Sequence, residues 1–308
     1  MTVRVAAIDC GTNSIRLLIA DVDPDSGRVV DVDRRMEIVR LGQGMDATGE
    51  FAVDALERTF AACDSYAAVI DTHGVDRVRF VATSASRDAK NRDVFIAGVK
   101  ARLRVEPDVI SGDEEARLSF AGATNGLSGA EPPYLVVDIG GGSTEFVLGV
   151  TSPQAARSVN IGCVRMTERH FRNDPPTGDE VDAAIADVDA AIALAGETVP
   201  LGEAKTLVGL AGSVTTAAAI ALDLTDYDPE RIHGARLTAQ TIAAVSERLL
   251  GLTREQRSEI AVMHPGRVDV INAGVLVLRR ILHVTGLPEV LVSEHDILDG
   301  IALGLARR

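Results

Sequence analysis

A chain of 308 residues, 46% hydrophobic and 25% charged, has ordinary globular composition and is long enough for two domains. Its 31 basic and 45 acidic residues give a net charge of −14, which argues against non-specific nucleic-acid binding and against an anionic membrane surface, so an anionic ligand has to be held by local devices. Cys10, Cys63 and Cys163 are odd in number and lack metal-ligand spacing, which argues against disulfides and zinc and for a reducing compartment.

Residues 3–9 form a short apolar run ending in Asp9, residues 10–13 a turn, and residues 15–20 a second apolar run: a strand, a tight loop and a returning strand. Asp9 also interrupts any signal-peptide pattern. A helix is expected near 53–69, a strand at 78–82 and a helix near 113–123. Residues 125–133, rich in Gly, Ser and Pro, are the expected domain boundary. The strand–loop–strand pattern then recurs over 134–150 at a constant offset of 129, with Asp9 falling on Asp138, Gly11 on Gly140, Asn13 on Gly142 and Ser14 on Ser143. The chain therefore reads as an internal duplication, with domains at 1–125 and 126–308 and a closing helix at about 297–308 that can pack back on the first. Further on, Thr177 with Glu180 and Thr253 with Gln256 have capping-box spacing. A strand at 207–210 runs through Gly212 and Ser213 into a helix at 214–222, and a last strand at 290–293 precedes a helix at 297–306. The apolar stretch 207–222 is shorter than the roughly 20 residues of a spanning helix, so a soluble cytoplasmic protein is expected.

In Asp138-Ile-Gly-Gly-Gly-Ser-Thr-Glu145, three glycines let backbone N–H groups turn toward one centre, as a phosphate loop requires. A plain hairpin is the bland alternative, but it needs no acids at its strand ends, whereas magnesium beside a phosphate takes one or two carboxylates. Asp9-Cys-Gly-Thr-Asn-Ser14 reads either as an Asx-type turn or as the weaker twin loop, with Thr12, Asn13 and Ser14 as donors. Gly212 and Ser213, where a strand meets a helix, suit an anion or simply close packing. Ser111 and Glu114 have capping-box spacing; Glu115, in the first helical turn, fits either a helix-dipole contact or a general base. Arg87 follows a strand and reads as a phosphate clamp or a solvated basic turn. Arg165, Arg169, Arg172, Arg236 and Arg267 are candidates for a basic channel. The histidines, including His233, His264 and His295, show no ligand spacing.

With Asp9-Cys-Gly-Thr-Asn-Ser14, Ala82-Thr-Ser-Ala-Ser-Arg87, Ile110-Ser-Gly-Asp-Glu-Glu-Ala-Arg117 and Asp138-Ile-Gly-Gly-Gly-Ser-Thr-Glu145 in that order, the chain resembles the exopolyphosphatase/guanosine pentaphosphate phosphatase (Ppx/GppA) family over essentially its whole length. The resemblance implies an α/β architecture of two actin-like, ribonuclease-H-like domains with an interdomain cleft, as in actin, chaperone ATPases and sugar kinases. It implies Glu115 as general base, and Asp138, Glu145 and Asp9 as magnesium- or manganese-linked acids. Thr12, Asn13, Ser14, Arg87, Gly140, Gly141, Gly142 and Ser143 are its phosphate contacts, with Gly212 and Ser213 as a third glycine loop. Long family members carry further helical domains; this chain is expected to stop after two, which puts long-chain processivity in doubt. Ser293-Glu-His-Asp-Ile-Leu-Asp-Gly300 departs from the family pattern, so no role transfers to Glu294, His295 or Asp296.

The expected activity is removal of terminal orthophosphate from inorganic polyphosphate. Guanosine pentaphosphate is the alternative substrate, and polyphosphate is favoured because three Tyr, seven Phe and no Trp offer no aromatic base pocket. An ATP-dependent kinase and a non-catalytic polyphosphate or alarmone sensor are the rival classes. No nucleic-acid or membrane partner is expected, and the resemblance makes a homodimer plausible.

Overall fold

The computed structural model describes residues 2–127 and 129–307. Ser128, inside the expected boundary segment, lies outside the described residues, as do Met1 and Arg308. Two compact units are present: the chain up to Asn125 together with the segment from Asp296 on, and Gly126–His295.

The first unit is built on strands β1 (Val3–Cys10), β2 (Ser14–Asp23), β3 (Arg28–Ile38), β4 (Arg77–Ala82) and β5 (Asp108–Val109), in the order β3-β2-β1-β4-β5. β1 pairs antiparallel with β2 and parallel with β4. Alternation divides the side chains of β1 and β2 between two cores. Ala6, Ile8, Cys10, Ile15, Leu17 and Ile19 face a cluster with Tyr66, Phe80 and Phe95. Val5, Ala7, Leu18, Ala20 and Val22 face a second cluster completed by Ile297, Leu298, Ile301 and Leu305 of the closing helix Ile297–Ala306. That helix therefore belongs to the first unit, and the second ends at His295 rather than at residue 308.

The second unit repeats the plan with β6 (Tyr134–Ile139), β7 (Thr144–Gly149), β8 (Pro153–Val159), β9 (Thr206–Leu210), β10 (Arg236–Thr238) and β11 (Glu289–Val292) in the order β10-β11-β9-β6-β7-β8. β6 lies antiparallel to β7 and parallel to β9, as β1 lies to β2 and β4. The duplication seen around the two loops extends to whole sheets, each of the mixed, ribonuclease-H-like type; β10 is an addition. The core of this unit gathers Leu135, Val137, Ile139, Phe146 and Leu148 with the helices Gly178–Gly196, Ala211–Ala221 and Ile271–Thr285.

Most expected elements are present, at slightly different bounds. The helix expected at 53–69 runs Val53–His73, and the one at 113–123 runs Gly112–Thr124. Both Thr177 with Glu180 and Thr253 with Gln256 close full capping boxes. Among the described residues no helix is long and apolar enough to cross a membrane.

Candidate active site

In the second unit the glycine loop closes the β6–β7 hairpin, with Gly140 N donating to Ser143 O at 3.0 Å. Gly162 precedes the helix Cys163–His170, whose first N–H groups have no side-chain cap. The loop caps them instead: Cys163 N donates to Gly140 O at 2.9 Å, and Val164 N and Arg165 N donate to Gly141 O at 2.9 and 3.1 Å. Arg165 Nε donates to Gly142 O at 2.8 Å. A trans peptide sets its C=O and N–H on opposite sides. With three successive carbonyls drawn to the helix, the N–H groups of Gly141, Gly142 and Ser143 face away from it. A Cβ on Gly162 would lie 2.5 Å from Gly141 O, so only glycine permits this approach.

Asp138 and Glu145 are directly opposed in the β6–β7 register, so their side chains leave the sheet on the same face. Both are buried. Glu145 Oε1 accepts from Ser143 Oγ at 2.8 Å and Ser158 Oγ at 2.7 Å. The Ser143 hydroxyl thus orients Glu145, which leaves the backbone N–H as this residue's donor to a phosphate.

The first unit contains the twin hairpin, with Gly11 N donating to Ser14 O at 2.9 Å. A strap over residues 39–44 holds its outer side. Gly42 N donates to Thr12 O at 2.8 Å, and Val39 N and Arg40 N donate to Asn13 O at 3.1 and 2.8 Å. A Cβ on Gly42 would sit 2.2 Å from Thr12 Cγ2. Asn13 Oδ1 is buried with no hydrogen-bond partner. At the position matching Glu145, this hairpin carries Arg16, directly opposite Asp9. Arg16 Nη2 meets Asp9 Oδ2 at 2.6 Å, and Nη1 pairs with Asp296, which caps the closing helix. Burial pushes the Asp9 carboxyl up, against the pull of Arg16.

Also in the first unit, the first turn of the helix Gly112–Thr124 carries Asp113, Glu114 and Glu115, and it sends the last two to different partners. Glu114 receives half a capping box, its N–H donating to Ser111 Oγ, while its carboxylate turns to Arg79 at 2.7 Å. Glu115, 8% exposed, pairs instead with Arg87 Nη1 at 2.6 Å, and the same nitrogen donates to Ile110 O. Arg87 is therefore engaged with the expected base, and any phosphate it clamps meets the pair.

The third loop differs from expectation. The helix begins at Ala211, not at 214, and Ala211 sits at φ 67 in the left-handed region. Arg267 Nη1 donates to Gly212 O at 3.2 Å and to Thr216 Oγ1 at 2.8 Å, and a Cβ on Gly212 would strike its guanidinium at 2.4 Å. Glycine here makes room for an arginine. The Ser213 hydroxyl turns inward to Cys163 and Gly274 rather than outward to a ligand, and burial raises the Cys163 thiol. Of the other channel candidates, Arg169 pairs with Asp187 and Arg236 with Glu289. The rings of His233 and His295 stack at 4.6 Å between centroids.

Among the described residues no cluster of three or more His, Cys, Asp or Glu side chains gathers. The opposed pair Asp138 and Glu145 nevertheless fits a hard cation, because magnesium takes one or two carboxylates and completes its shell with water and phosphate oxygens. Sequence reasoning missed Arg16, Gly42 and Gly162, and gave Arg165 only a channel role. Arg16 was within reach, since the offset of 129 lays it on Glu145; the glycines act across distances that no local motif records.

The Ppx/GppA phosphatase family model matches residues 18–308, and the chain belongs to that family. It is 51% identical over 314 aligned positions to Exopolyphosphatase 2 of Mycobacterium tuberculosis, covering 98% of each chain. It is 36% identical to a guanosine-5'-triphosphate,3'-diphosphate pyrophosphatase of Photobacterium profundum, over 68% of this chain and 42% of that one. A crystal structure described as an exopolyphosphatase-like protein superposes with a TM-score of 0.97 at 45% identity, covering 100% of this chain and 98% of the other.

Proposed function

We propose that this chain is an exopolyphosphatase, releasing terminal orthophosphate from inorganic polyphosphate. The observation that carries the reading is the Gly140–Ser143 loop, whose carbonyls are held at the back so that its amides serve an anion in a protein of net charge −14. Full-length likeness to a named exopolyphosphatase supports the substrate class.

In this reading the amides of Gly141, Gly142 and Ser143 bind phosphoryl oxygens, and the loop of Thr12, Asn13 and Ser14 is a second set of phosphate donors. Asp138 and Glu145 hold Mg2+ or Mn2+, which when bound neutralises phosphate charge. Asp9, already matched by Arg16, serves the first loop rather than the cation. Glu115, oriented by Arg87, takes a proton from water. The water oxygen forms a bond to the terminal phosphorus while the bridging P–O bond breaks, and the shortened chain leaves with the electron pair. Such chemistry relies on positioning and charge stabilisation, without a covalent intermediate. The buried thiols of Cys10, Cys63 and Cys163 support a cytoplasmic setting.

Phosphate release measured side by side from short polyphosphate, long polyphosphate and guanosine pentaphosphate, without ATP, tests the reading. Release from polyphosphate is expected to dominate. Preference for the nucleotide moves the chain to the guanosine pentaphosphate reading, which its Photobacterium relative favours, and an absolute need for ATP ends both. Glu115→Gln is expected to lower kcat by about 10²-fold or more with substrate binding retained.

A further inference from the structure

The second-unit phosphate loop is held by an element that the proposed mechanism does not otherwise use. The helix Cys163–His170 offers three N–H groups to Gly140 and Gly141, and its third residue reaches back with a side chain to Gly142. The last of these contacts differs in kind from the others. The carbonyls of Gly140 and Gly141 are fixed by backbone, and any residue types would supply those donors. The carbonyl of Gly142 is fixed by a guanidinium Nε at 2.8 Å, and only arginine places a planar N–H there while leaving its terminal nitrogens for other partners. Helix N–H groups already hold the carbonyls of Gly140 and Gly141, so the peptide between Gly142 and Ser143 is the one whose orientation this tether sets.

We infer that Arg165 is a positioning residue for phosphoryl transfer: by holding Gly142 O it aims the Ser143 N–H at the terminal phosphoryl oxygen, and Gly162 is the residue that lets its helix approach closely enough to do so. This rests on the reading of the loop as the phosphate site. Arg165 acts through the loop amide and through no bond of its own to the reacting atoms. Loss of the tether misdirects one donor, and the unfolding midpoint separates that effect from a loss of fold.

The test compares wild type with Arg165→Ala, Arg165→Lys and Gly162→Ala for polyphosphate hydrolysis, competitive inhibition by orthophosphate, and thermal unfolding. Arg165→Ala is expected to lose about 10- to 10²-fold in kcat/KM. The orthophosphate inhibition constant is expected to rise with it, while the unfolding midpoint stays within about 3 °C. Millimolar guanidinium ion is expected to restore part of the activity of Arg165→Ala and none of that of Glu115→Gln. Arg165→Lys, which keeps the charge and lacks the Nε fork, should fall between, and it carries the test if the alanine variant does not fold. Gly162→Ala should weaken orthophosphate as well, because its Cβ displaces Gly141. Wild-type kcat/KM in Arg165→Ala, or a loss that guanidinium leaves untouched, overturns the inference. A wild-type protein that neither hydrolyses polyphosphate nor binds orthophosphate overturns the functional reading instead.

Discussion

Asp9 and Asp138 occupy equivalent places in equivalent hairpins, yet their cross-strand neighbours are Arg16 and Glu145. Opposed residues share a face, so one hairpin presents an ion pair and the other a pair of carboxylates. A divalent cation binds best where carboxylate oxygens are gathered on one face. Mn2+ titration by calorimetry or electron paramagnetic resonance should therefore show Asp9→Asn binding within about threefold of wild type, and Asp138→Asn about 10-fold weaker or more. Equal losses in the two variants would return Asp9 to the metal shell.

At the level of elements, the base-bearing helix Gly112–Thr124 and the closing helix Ile297–Ala306 meet through two glycines. A Cβ on Gly300 would lie 2.0 Å from Leu118 O, and one on Gly122 would lie 1.8 Å from Asp296 O. Both obstacles are backbone, so neither can yield by a rotamer change. Gly300→Ala has to push the helices apart, an overpacking that costs on the order of 1–3 kcal/mol. Because Glu115 rides on one of them, kcat should fall along with the unfolding midpoint. Circular dichroism melts paired with a phosphate-release assay check this, and an unshifted melt would show that the contact is looser than drawn. The same logic explains why Gly42 and Gly162 accompany the two hairpin loops: each permits a close approach at which backbone N–H groups bind the loop carbonyls.

Across the molecule, the chain leaves its first unit after Asn125 and returns to it at Asp296. The returning helix covers Val5, Ala7, Leu18 and Ala20, and Arg16 and Arg34 anchor its first turn through Asp296 and Asp299. A protein ending at His295 is expected to lose the first unit's fold, since one face of its sheet is then bare apolar surface. Gly126–His295 keeps its own core. Limited proteolysis of that truncation should leave a resistant fragment spanning about residues 126–295 and degrade the rest; equal resistance of both parts would contradict it.

Local chemistry in the sequence determined a great deal. Apolar alternation around Asp9 and Asp138 located both hairpins, the three glycines marked the turn of the second, and the offset of 129 disclosed the duplication, because each depends on residues a few positions apart. Four ordered motifs were enough to indicate the family. Tertiary structure alone decided which donors remain for a ligand. Ser143 and Ser213 read alike as phosphate contacts, but one hydroxyl serves Glu145 and the other turns to Cys163. Gly212 read either as an anion site or as close packing, and it is Arg267, 55 residues along the chain, that covers it. Arg87 read as a clamp and is paired with Glu115. A hydrogen-bonding group serves whatever partner the fold brings within about 3 Å, and those partners come from distant segments whose spacing in sequence carries no trace of the contact.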